Sequence, residues 1–177
     1  IGDNNIFRES CTVHRGTIQD NSLTQIGSNN LFMAYTHVAH DCVIGDHCIL
    51  ANNASIAGHV HVGDYAILGG MTGVHQFCHI GAHSFVAANS LILKDIPPYL
   101  MVSGQPASPF GLNSEGLKRR GFDKDVILTI KRAYKEVYRK GLSVNDALVN
   151  VAALSDDMPE LTFFAEFIRN SSRGIAR

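Results

Sequence analysis

A six-residue period runs through the first half of the sequence and constrains the fold more than any other feature. Stepping by six from Ile26 meets twelve apolar residues in succession: Ile26, Phe32, Val38, Ile44, Leu50, Ile56, Val62, Leu68, Val74, Ile80, Val86 and Ile92. With 45% apolar residues in the chain, such a run arises by chance with a probability of roughly 7 × 10⁻⁵. The fourth residue after each of these anchors is usually small, as in Thr36, Cys42, Cys48, Ala54, Ala66, Thr72, Cys78, Ser84 and Ser90.

A repeat of six residues is typical of a parallel β-helix, in which three short strands and their turns complete one coil. Residues 26–97 then supply four coils of three hexads each, which rise about 19 Å at ~4.8 Å per stacked strand. The apolar anchor would fill the axis, and the small residue would lie where the chain bends. We therefore expect residues 1–98 to form a mainly β domain of this kind.

The four cysteines fit the repeat. Cys42, Cys48 and Cys78 occupy the small position, and Cys11 does so if the frame is extended upstream through Phe7 and Val13. This pattern predicts buried thiols rather than disulfides or zinc ligands. Reduced thiols are typical of a cytoplasmic protein.

Charge and hydropathy argue against two classes of partner. The net charge of −1 disfavours general nucleic-acid binding. No stretch approaches the ~18 consecutive apolar residues of a transmembrane segment, and no signal peptide is visible. The chain begins in the middle of a repeat, so we expect further coils upstream of it in the whole protein.

The repeat is interrupted once and then ends. The step from Val13 to Ile26 is one residue longer than two hexads, and the polar run 16–22 between them predicts a loop that bulges from the β-helix. After Pro97 and Pro98 the period stops, and we expect a linker at 99–113.

Residues 114–177 carry helical signals. A first helix should end at Gly121, and a second should run from Asp123 to Gly141. Ser143 resembles the start of a capping box, and Pro159 should open the last helix. We expect this small α-helical domain, which is basic overall, to cover the C-terminal edge of the β-helix.

The three-hexad coil gathers several histidines at one edge. His40, Gly58 and Gln76 fall in one column, and Asp41, His59 and Phe77 fall in the next. His37 and His75 lie at the same edge, whereas the break in the repeat leaves the column of His14 open. The remaining histidines should form stacks that face solvent or another subunit: His47 with His83, and His61 with His79.

The chemistry of this cluster leaves three interpretations open. His40 beside Asp41 suits a general base and its orienting carboxylate, provided that a bend brings both side chains to one side. Gly58 could present its backbone N–H to an oxyanion. Several histidines on one edge could instead bind zinc, and a scaffold without chemistry is the third possibility.

Four segments of the chain resemble the UDP-N-acetylglucosamine O-acyltransferase family of lipid A biosynthesis. They are His37-Val38-Ala39-His40-Asp41-Cys42, Ile49-Leu50-Ala51-Asn52-Asn53-Ala54, Gly69-Gly70-Met71-Thr72-Gly73-Val74-His75-Gln76-Phe77 and Asn113-Ser114-Glu115-Gly116-Leu117-Lys118-Arg119-Arg120-Gly121-Phe122. The resemblance extends over nearly the whole chain and matches the C-terminal two-thirds of these enzymes. It implies a left-handed parallel β-helix of hexapeptide repeats followed by a small C-terminal α-helical domain.

The resemblance also implies a reaction and its partners. A 3-hydroxyacyl group would move from acyl carrier protein to the 3-hydroxyl of UDP-N-acetylglucosamine, without a cofactor or a metal. The enzyme would be a cytoplasmic homotrimer with active sites at the subunit seams. Alternatives are the sister N-acyltransferase of the same pathway and a zinc-dependent β-helix similar to carbonic anhydrase.

Roles for individual residues follow from the same resemblance. His40 matches the general base, Asp41 its orienting partner and Gly58 the oxyanion donor. The remaining matches are substrate-binding residues: His14, His37, His59, His75, Gln76, Asn113, Glu115 and Arg120. Arg119 and Arg120 would also contact the acidic carrier protein. Ala88 matches the position that measures acyl length, and its small side chain predicts a fairly long acyl chain.

Overall fold

The computed structural model describes residues 1–18, 22–154 and 157–177. Fourteen strands of two residues each wind through the first part of the described chain: β1 (Ile6–Phe7), β2 (Thr12–Val13), β3 (Gln25–Ile26), β4 (Leu31–Phe32), β5 (His37–Val38), β6 (Val43–Ile44), β7 (Ile49–Leu50), β8 (Ser55–Ile56), β9 (His61–Val62), β10 (Ile67–Leu68), β11 (Gly73–Val74), β12 (His79–Ile80), β13 (Phe85–Val86) and β14 (Leu91–Ile92).

These strands form the three faces of a parallel β-helix. The five-stranded sheet has the order β14-β11-β8-β5-β2, and the four-stranded sheet has the order β12-β9-β6-β3. The third sheet begins β1-β4-β7-β10-β13 and has seven strands in all. His37 pairs with Ser55, its equivalent in the next coil, as the hexad arithmetic predicts.

The apolar anchors fill the axis of the β-helix, which confirms their predicted position. Each anchor from Ile26 to Ile92 is at most 4% exposed. The small residues are buried beside them, including Cys42, Cys48 and Cys78. All four cysteines are free thiols, and Cys11 packs against the same core. Burial raises the pKa of the Cys42 and Cys78 thiols to about 11 and that of the Cys48 thiol to about 12, so these three cysteines act as small apolar residues.

The corners of the β-helix between Asn29 and Asn89 use the left-handed backbone region. Each sixth residue from Asn29 to Asn89 has a φ between 57° and 64°. This conformation turns the chain sharply, and Asn, Asp and His tolerate it better than other side chains do. Asp41 and His59 occupy two of these positions, so the corner geometry decides where their side chains point.

The break in the repeat differs from its prediction. β2 pairs with β5, so Val13 lies against Val38 rather than against Leu31, which a regular coil would place there. The interval between Val13 and Ile26 therefore passes a single corner and contains seven inserted residues, not two hexads and one extra residue. At the base of this insertion, a Cβ on Gly16 would lie 2.0 Å from the backbone nitrogen of Leu23. Residues 19–21 of the polar run lie outside the described residues.

The prediction of a linker at 99–113 is wrong. β15 (Leu100–Gly104) and β16 (Ala107–Leu112) form an antiparallel hairpin that extends the seven-stranded sheet beyond β13. Pro109 suggested an irregular segment, but it lies in the outermost strand, where a missing N–H breaks no interior ladder. Leu100 and Val102 are fully buried and attach the hairpin to both cores.

The described residues after the hairpin form four helices: α1 (Ser114–Arg119), α2 (Lys124–Tyr138), α3 (Val144–Ala152) and α4 (Pro159–Asn170). Gly121 and Gly141 have positive φ angles beyond the ends of α1 and α2, as expected. Ser143 caps α3 by accepting from the Asp146 N–H, whereas Asp123 makes no side-chain cap bond. The described residues contain no helix long and apolar enough to cross a membrane.

The helices do not themselves close the C-terminal edge of the β-helix. They share a second core with the hairpin residues Leu100 and Leu112. The edge is closed by the hairpin and by the end of the chain, because Ile175 bridges Asp95 and Ala176 joins the β-helix core. This arrangement brings residues 171–176 beside the last coil.

Candidate active site

A groove of about 550 Å³ runs along the outer face of the five-stranded sheet. Small and apolar residues form much of its lining, and four histidines border it. The lining residues are His14, His37, Ala39, His40, Ser55, Ile56, Ala57, Gly58, Gly73, Val74, His75 and Leu91. Of the cluster predicted from the sequence, His37, His40 and His75 thus border one groove on this sheet face.

His40 and Asp41 form a hydrogen-bonded pair at one end of this groove. The Nδ1 atom of His40 lies 2.9 Å from Oδ2 of Asp41. The φ of 57° at Asp41 places two adjacent side chains on the same side, which a regular strand would not do. The His40 side chain is 41% exposed and that of Asp41 only 1%, so the imidazole faces solvent with a buried carboxylate behind it.

Thr17, in the insertion, holds the Asp41 carboxylate. Its backbone N–H lies 3.0 and 3.1 Å from the two carboxylate oxygens, and its hydroxyl donates to Oδ2 at 2.7 Å. The Asp41 N–H donates to the Thr24 hydroxyl at 2.9 Å. The sequence predicts this insertion only as a loop, and neither threonine is among the candidate residues that it offers.

The Asp41 carboxyl is ionised at neutral pH. Burial raises its pKa, but the hydrogen bonds from Thr17 and His40 outweigh burial, and the pKa falls to about 2. The carboxylate can therefore only accept a hydrogen bond from the Nδ1–H of His40, which leaves Nε2 of His40 as a bare acceptor.

Gly58 and His59 complete this corner. A Cβ on Gly58 would lie 2.6 Å from Cε1 of His40, so only glycine fits beneath the imidazole. The Gly58 N–H donates no hydrogen bond within the described part of the chain. The His59 ring lies edge-on to His40 at 5.1 Å and stacks on Phe77 at 4.5 Å.

The corner also has the composition of a metal site. Ligand atoms of His40, Asp41 and His59 lie within 4.8 Å of one another, which is the set that the zinc interpretation requires. Both Asp41 oxygens, however, already accept hydrogen bonds from Thr17. The Oδ2 atom also accepts from the Thr17 hydroxyl and from His40, so Oδ1 is the carboxylate oxygen with a lone pair left for a metal.

The other groove histidines lie along the same sheet. His37 Nδ1 lies 2.8 Å from the Thr12 hydroxyl, and the His14 ring lies edge-on to His37 at 4.7 Å. Burial and the neighbouring His14 lower the pKa of His37. The sequence left the column of His14 undetermined, and the structure places His14 beside His37. His75 borders the far end of the groove.

Gln76 and Ala88 lie outside the lining of the groove. Gln76 is exposed at the corner after His75 and does not line the groove. Ala88 is exposed at the corner that precedes β14. The five-stranded sheet separates that corner from His40.

The predicted histidine stacks are present. His61 and His79 stack at 4.5 Å, and Tyr65 stacks with His47 at 4.6 Å and with His83 at 4.9 Å. We expected these stacks to face solvent or another subunit, and for His83 the first expectation is wrong, because Phe122 and Arg120 of the helical domain contact its ring. Burial and the Arg120 charge lower its pKa to about 4.

The candidate residues for binding the nucleotide and the carrier protein lie apart from His40 within the chain. They are Asn113, Glu115, Arg119 and Arg120. Asn113 caps α1 and donates to the His83 backbone oxygen at 2.9 Å. Arg120 packs over the Tyr65 ring and donates to the Tyr65 backbone oxygen at 2.9 Å. Glu115 and Arg119 are exposed. The corner that they border joins the four- and seven-stranded sheets, so the four-stranded sheet separates it from the groove.

Asp41 provides a test of this site by pH. A carboxyl whose pKa is lowered by folding, here from 3.8 to about 2, stabilises the fold above the unfolded-state pKa and loses that effect as pH falls through the folded-state pKa. We expect Asp41→Asn to lower the free energy of unfolding at pH 7, and the deficit to shrink between about pH 4 and pH 2. Denaturant unfolding across this range measures it, with Asp123→Asn as the control for removing an exposed carboxylate. A deficit that is the same at pH 2 and pH 7 would contradict the account.

Two family profiles match the chain. One, described as Udp N-acetylglucosamine O-acyltransferase, Domain 2, matches residues 95–176. The other, described as a bacterial transferase hexapeptide of six repeats, matches residues 23–58. The first thus covers the hairpin and helices, and the second covers part of the β-helix.

Relatives and solved structures agree with these profiles. The acyl-[acyl-carrier-protein]–UDP-N-acetylglucosamine O-acyltransferase of Pseudomonas fluorescens is 54% identical over all 177 residues, which cover 69% of its length. LpxA from Acinetobacter baumannii has a TM-score of 0.96 at 48% identity, with 99% of this chain and 69% of that chain covered. The UDP-N-acetylglucosamine acyltransferase of Francisella novicida also has a TM-score of 0.96, at 47% identity, with 99% and 64% covered. The chain therefore belongs to the UDP-N-acetylglucosamine O-acyltransferase family.

Proposed function

We propose that this chain transfers a 3-hydroxyacyl group from acyl carrier protein to the 3-hydroxyl of UDP-N-acetylglucosamine, the first step of lipid A biosynthesis. The observation that carries the proposal is the His40–Asp41 pair, 2.9 Å apart, beside a groove lined by small and apolar residues. The relatives' names supply the two substrates. Free thiols are typical of the cytoplasm, which supports a cytoplasmic site for this reaction.

His40 acts as the general base. Asp41 accepts a hydrogen bond from the Nδ1–H of His40, so Nε2 removes the proton from the sugar 3-hydroxyl as its oxygen attacks the thioester carbonyl carbon. The imidazolium that forms is stabilised by the Asp41 carboxylate. Thr17 keeps this carboxylate ionised and fixed.

The tetrahedral intermediate then collapses to the ester. The backbone N–H of Gly58 donates to the oxyanion. The carbon–sulfur bond breaks, and the departing carrier thiolate takes the proton from the His40 imidazolium. The products are the 3-O-acylated sugar nucleotide and the free thiol of the carrier, and every step uses only groups of the chain and its substrates.

The groove accounts for the acyl chain. Ala39, Ala57, Gly73 and Leu91 are small or apolar outward-facing residues on successive coils. An acyl chain laid on them would leave water, which stabilises binding by about 0.8 kcal/mol per buried CH₂. Ala88, at the far edge of this sheet, would set the length of chain that fits.

The positions of the residues proposed to bind the nucleotide support assembly as a homotrimer. Asn113 and Glu115 lie at a different corner from His40 in the same chain, so they reach a substrate at His40 only from a neighbouring subunit. The Arg120 guanidinium is engaged with Tyr65 of its own chain. Arg119 is exposed and available to phosphate or to the acidic carrier protein.

Replacing His40 tests the base. We expect His40→Ala to lower the rate of acyl transfer to UDP-N-acetylglucosamine by about 10²- to 10⁴-fold, because the variant lacks the base that accepts the hydroxyl proton in the proposed reaction. His79→Ala removes a histidine from the His61–His79 stack on the four-stranded sheet and should keep the wild-type rate. The measurement follows labelled acyl product with the full-length protein. A His40→Ala variant that retains most of the rate would exclude His40 as the base.

Gly58 provides a geometric test. The added methyl group of Gly58→Ala would collide with the His40 ring and displace it, and a shift of about 1 Å lowers the rate by about 10²-fold. We expect kcat to fall while KM changes little. Gly111→Ala is the matched control, since its Cβ would have no neighbour within 4 Å. Equal kcat values for the two variants would show that space at Gly58 has no role.

Ala88 tests the acyl-length position. Ala88→Met adds bulk at the end of the groove, so we expect the preferred acyl donor to become shorter. Competition between acyl carrier proteins that carry chains of different length gives the ratio of kcat/KM values directly. An unchanged chain-length profile would exclude Ala88 as the measuring position.

A further inference from the structure

Arg173, near the end of the chain, reaches the far end of the groove. One of its terminal guanidinium nitrogens lies 3.3 Å from Nδ1 of His75, a residue far earlier in the sequence. No repeat or motif pointed to this arginine. Because His75 borders the groove, the contact brings a permanent positive charge to the edge of the proposed active site.

Arg173 is held in place by the last coil. The Ser171 hydroxyl donates to Asp95 at 2.6 Å, the Asp95 N–H donates to the Gly174 oxygen at 3.0 Å, and the Ala176 N–H donates to the Asp95 oxygen at 2.9 Å. Three hydrogen bonds to one residue thus fix the backbone on both sides of Arg173. Its Nε atom is buried without a hydrogen-bond partner in the described part of the chain. The position of the Arg173 side chain therefore depends on its other contacts, including the one between its terminal nitrogen and His75.

The Nδ1 atom of His75 has two neighbours with opposite requirements. The backbone oxygen of Gln76 lies 3.2 Å away and needs an Nδ1–H. Arg173 can only donate, and therefore needs a bare Nδ1. A hydrogen bond from a charged guanidinium is stronger than one to a neutral carbonyl, and the Gln76 residue is exposed, so water can satisfy its carbonyl.

We propose that Arg173 is a positioning residue that holds His75 in the tautomer with the proton on Nε2. His75 then acts as a neutral hydrogen-bond donor toward a substrate oxygen in the groove. It lies two coils above the level of His40, or about 10 Å at ~4.8 Å per strand. The oxygen that it contacts therefore belongs to a part of the substrates remote from the reacting carbonyl. The role of His75 as a donor to substrate rests on the proposed acyl transfer, whereas its Nε2–H tautomer does not depend on that function.

The tautomer is tested on the full-length protein labelled with ¹⁵N-histidine. Long-range ¹H–¹⁵N correlation spectra identify which imidazole nitrogen carries the proton, and His75→Gln assigns the signals. We expect the Nε2–H form in the wild type and in Arg169→Gln, the control that removes an exposed arginine of α4. In Arg173→Gln the signals should shift toward the Nδ1–H form. An unchanged tautomer in folded Arg173→Gln overturns the proposal.

Kinetics test the role in binding. Loss of one hydrogen bond lowers affinity by up to about tenfold, so we expect Arg173→Gln to raise the KM of one of the two substrates by about five- to tenfold with little change in kcat. Arg173→Lys, which keeps the charge, should restore part of this loss. Within a His75→Gln background, Arg173→Gln should have no further effect. Unchanged KM values for both substrates would overturn the binding role.

Failure of the proposed function would give a different result, since the wild-type protein would then show no acyl transfer while the tautomer of His75 could still be measured.

Discussion

The stacking of coils is the constraint on which the rest of the structure depends. Backbone hydrogen bonds join each strand to its equivalent in the next coil, and the buried anchors fill the axis between them. Neither can shift alone, because a one-residue slip would turn every anchor outward and every groove residue inward. The position of each outward-facing side chain is therefore fixed by its residue number, and the groove is a consequence of that register.

The corners convert this register into chemistry. Adjacent residues in a strand face opposite sides, but the left-handed φ at Asp41 turns its carboxylate toward His40. The same conformation at His59 and Phe77 stacks their rings beside the pair. The strained backbone costs stability at each corner, and the stacked coils above and below offset that cost. A regular sheet with the same residues would not bring His40 and Asp41 together.

The repeat made the columns of stacked residues predictable, whereas the structure at its interruptions was not predictable. Anchors, buried cysteines, the His40 corner and the stacks of His61 and His79 all follow from counting whole hexads and whole coils. The insertion was misassigned because the step from Val13 to Ile26 fits one hexad plus seven as well as two hexads plus one, and only strand pairing distinguishes them. Thr17 was therefore missed. Residues 99–113 appeared irregular because of their prolines, which an edge strand tolerates. Arg173 and Arg120 reach their contacts through tertiary packing, for which the local sequence holds no signal.

The groove thus combines a rigid repetitive wall with polar partners from segments outside the repeat. Thr17, from the insertion, fixes the Asp41 carboxylate, which accepts a hydrogen bond from the Nδ1–H of His40 and leaves Nε2 as an acceptor. Arg173, from the end of the chain, donates toward Nδ1 of His75, which would leave Nε2 as a donor. Two histidines on one sheet would then present opposite hydrogen-bonding faces because an anion stands behind one and a cation behind the other. An acid–base reaction needs an acceptor for the substrate proton and a donor that orients the substrate, and the repeat alone, with identical backbone at each coil, cannot distinguish the two.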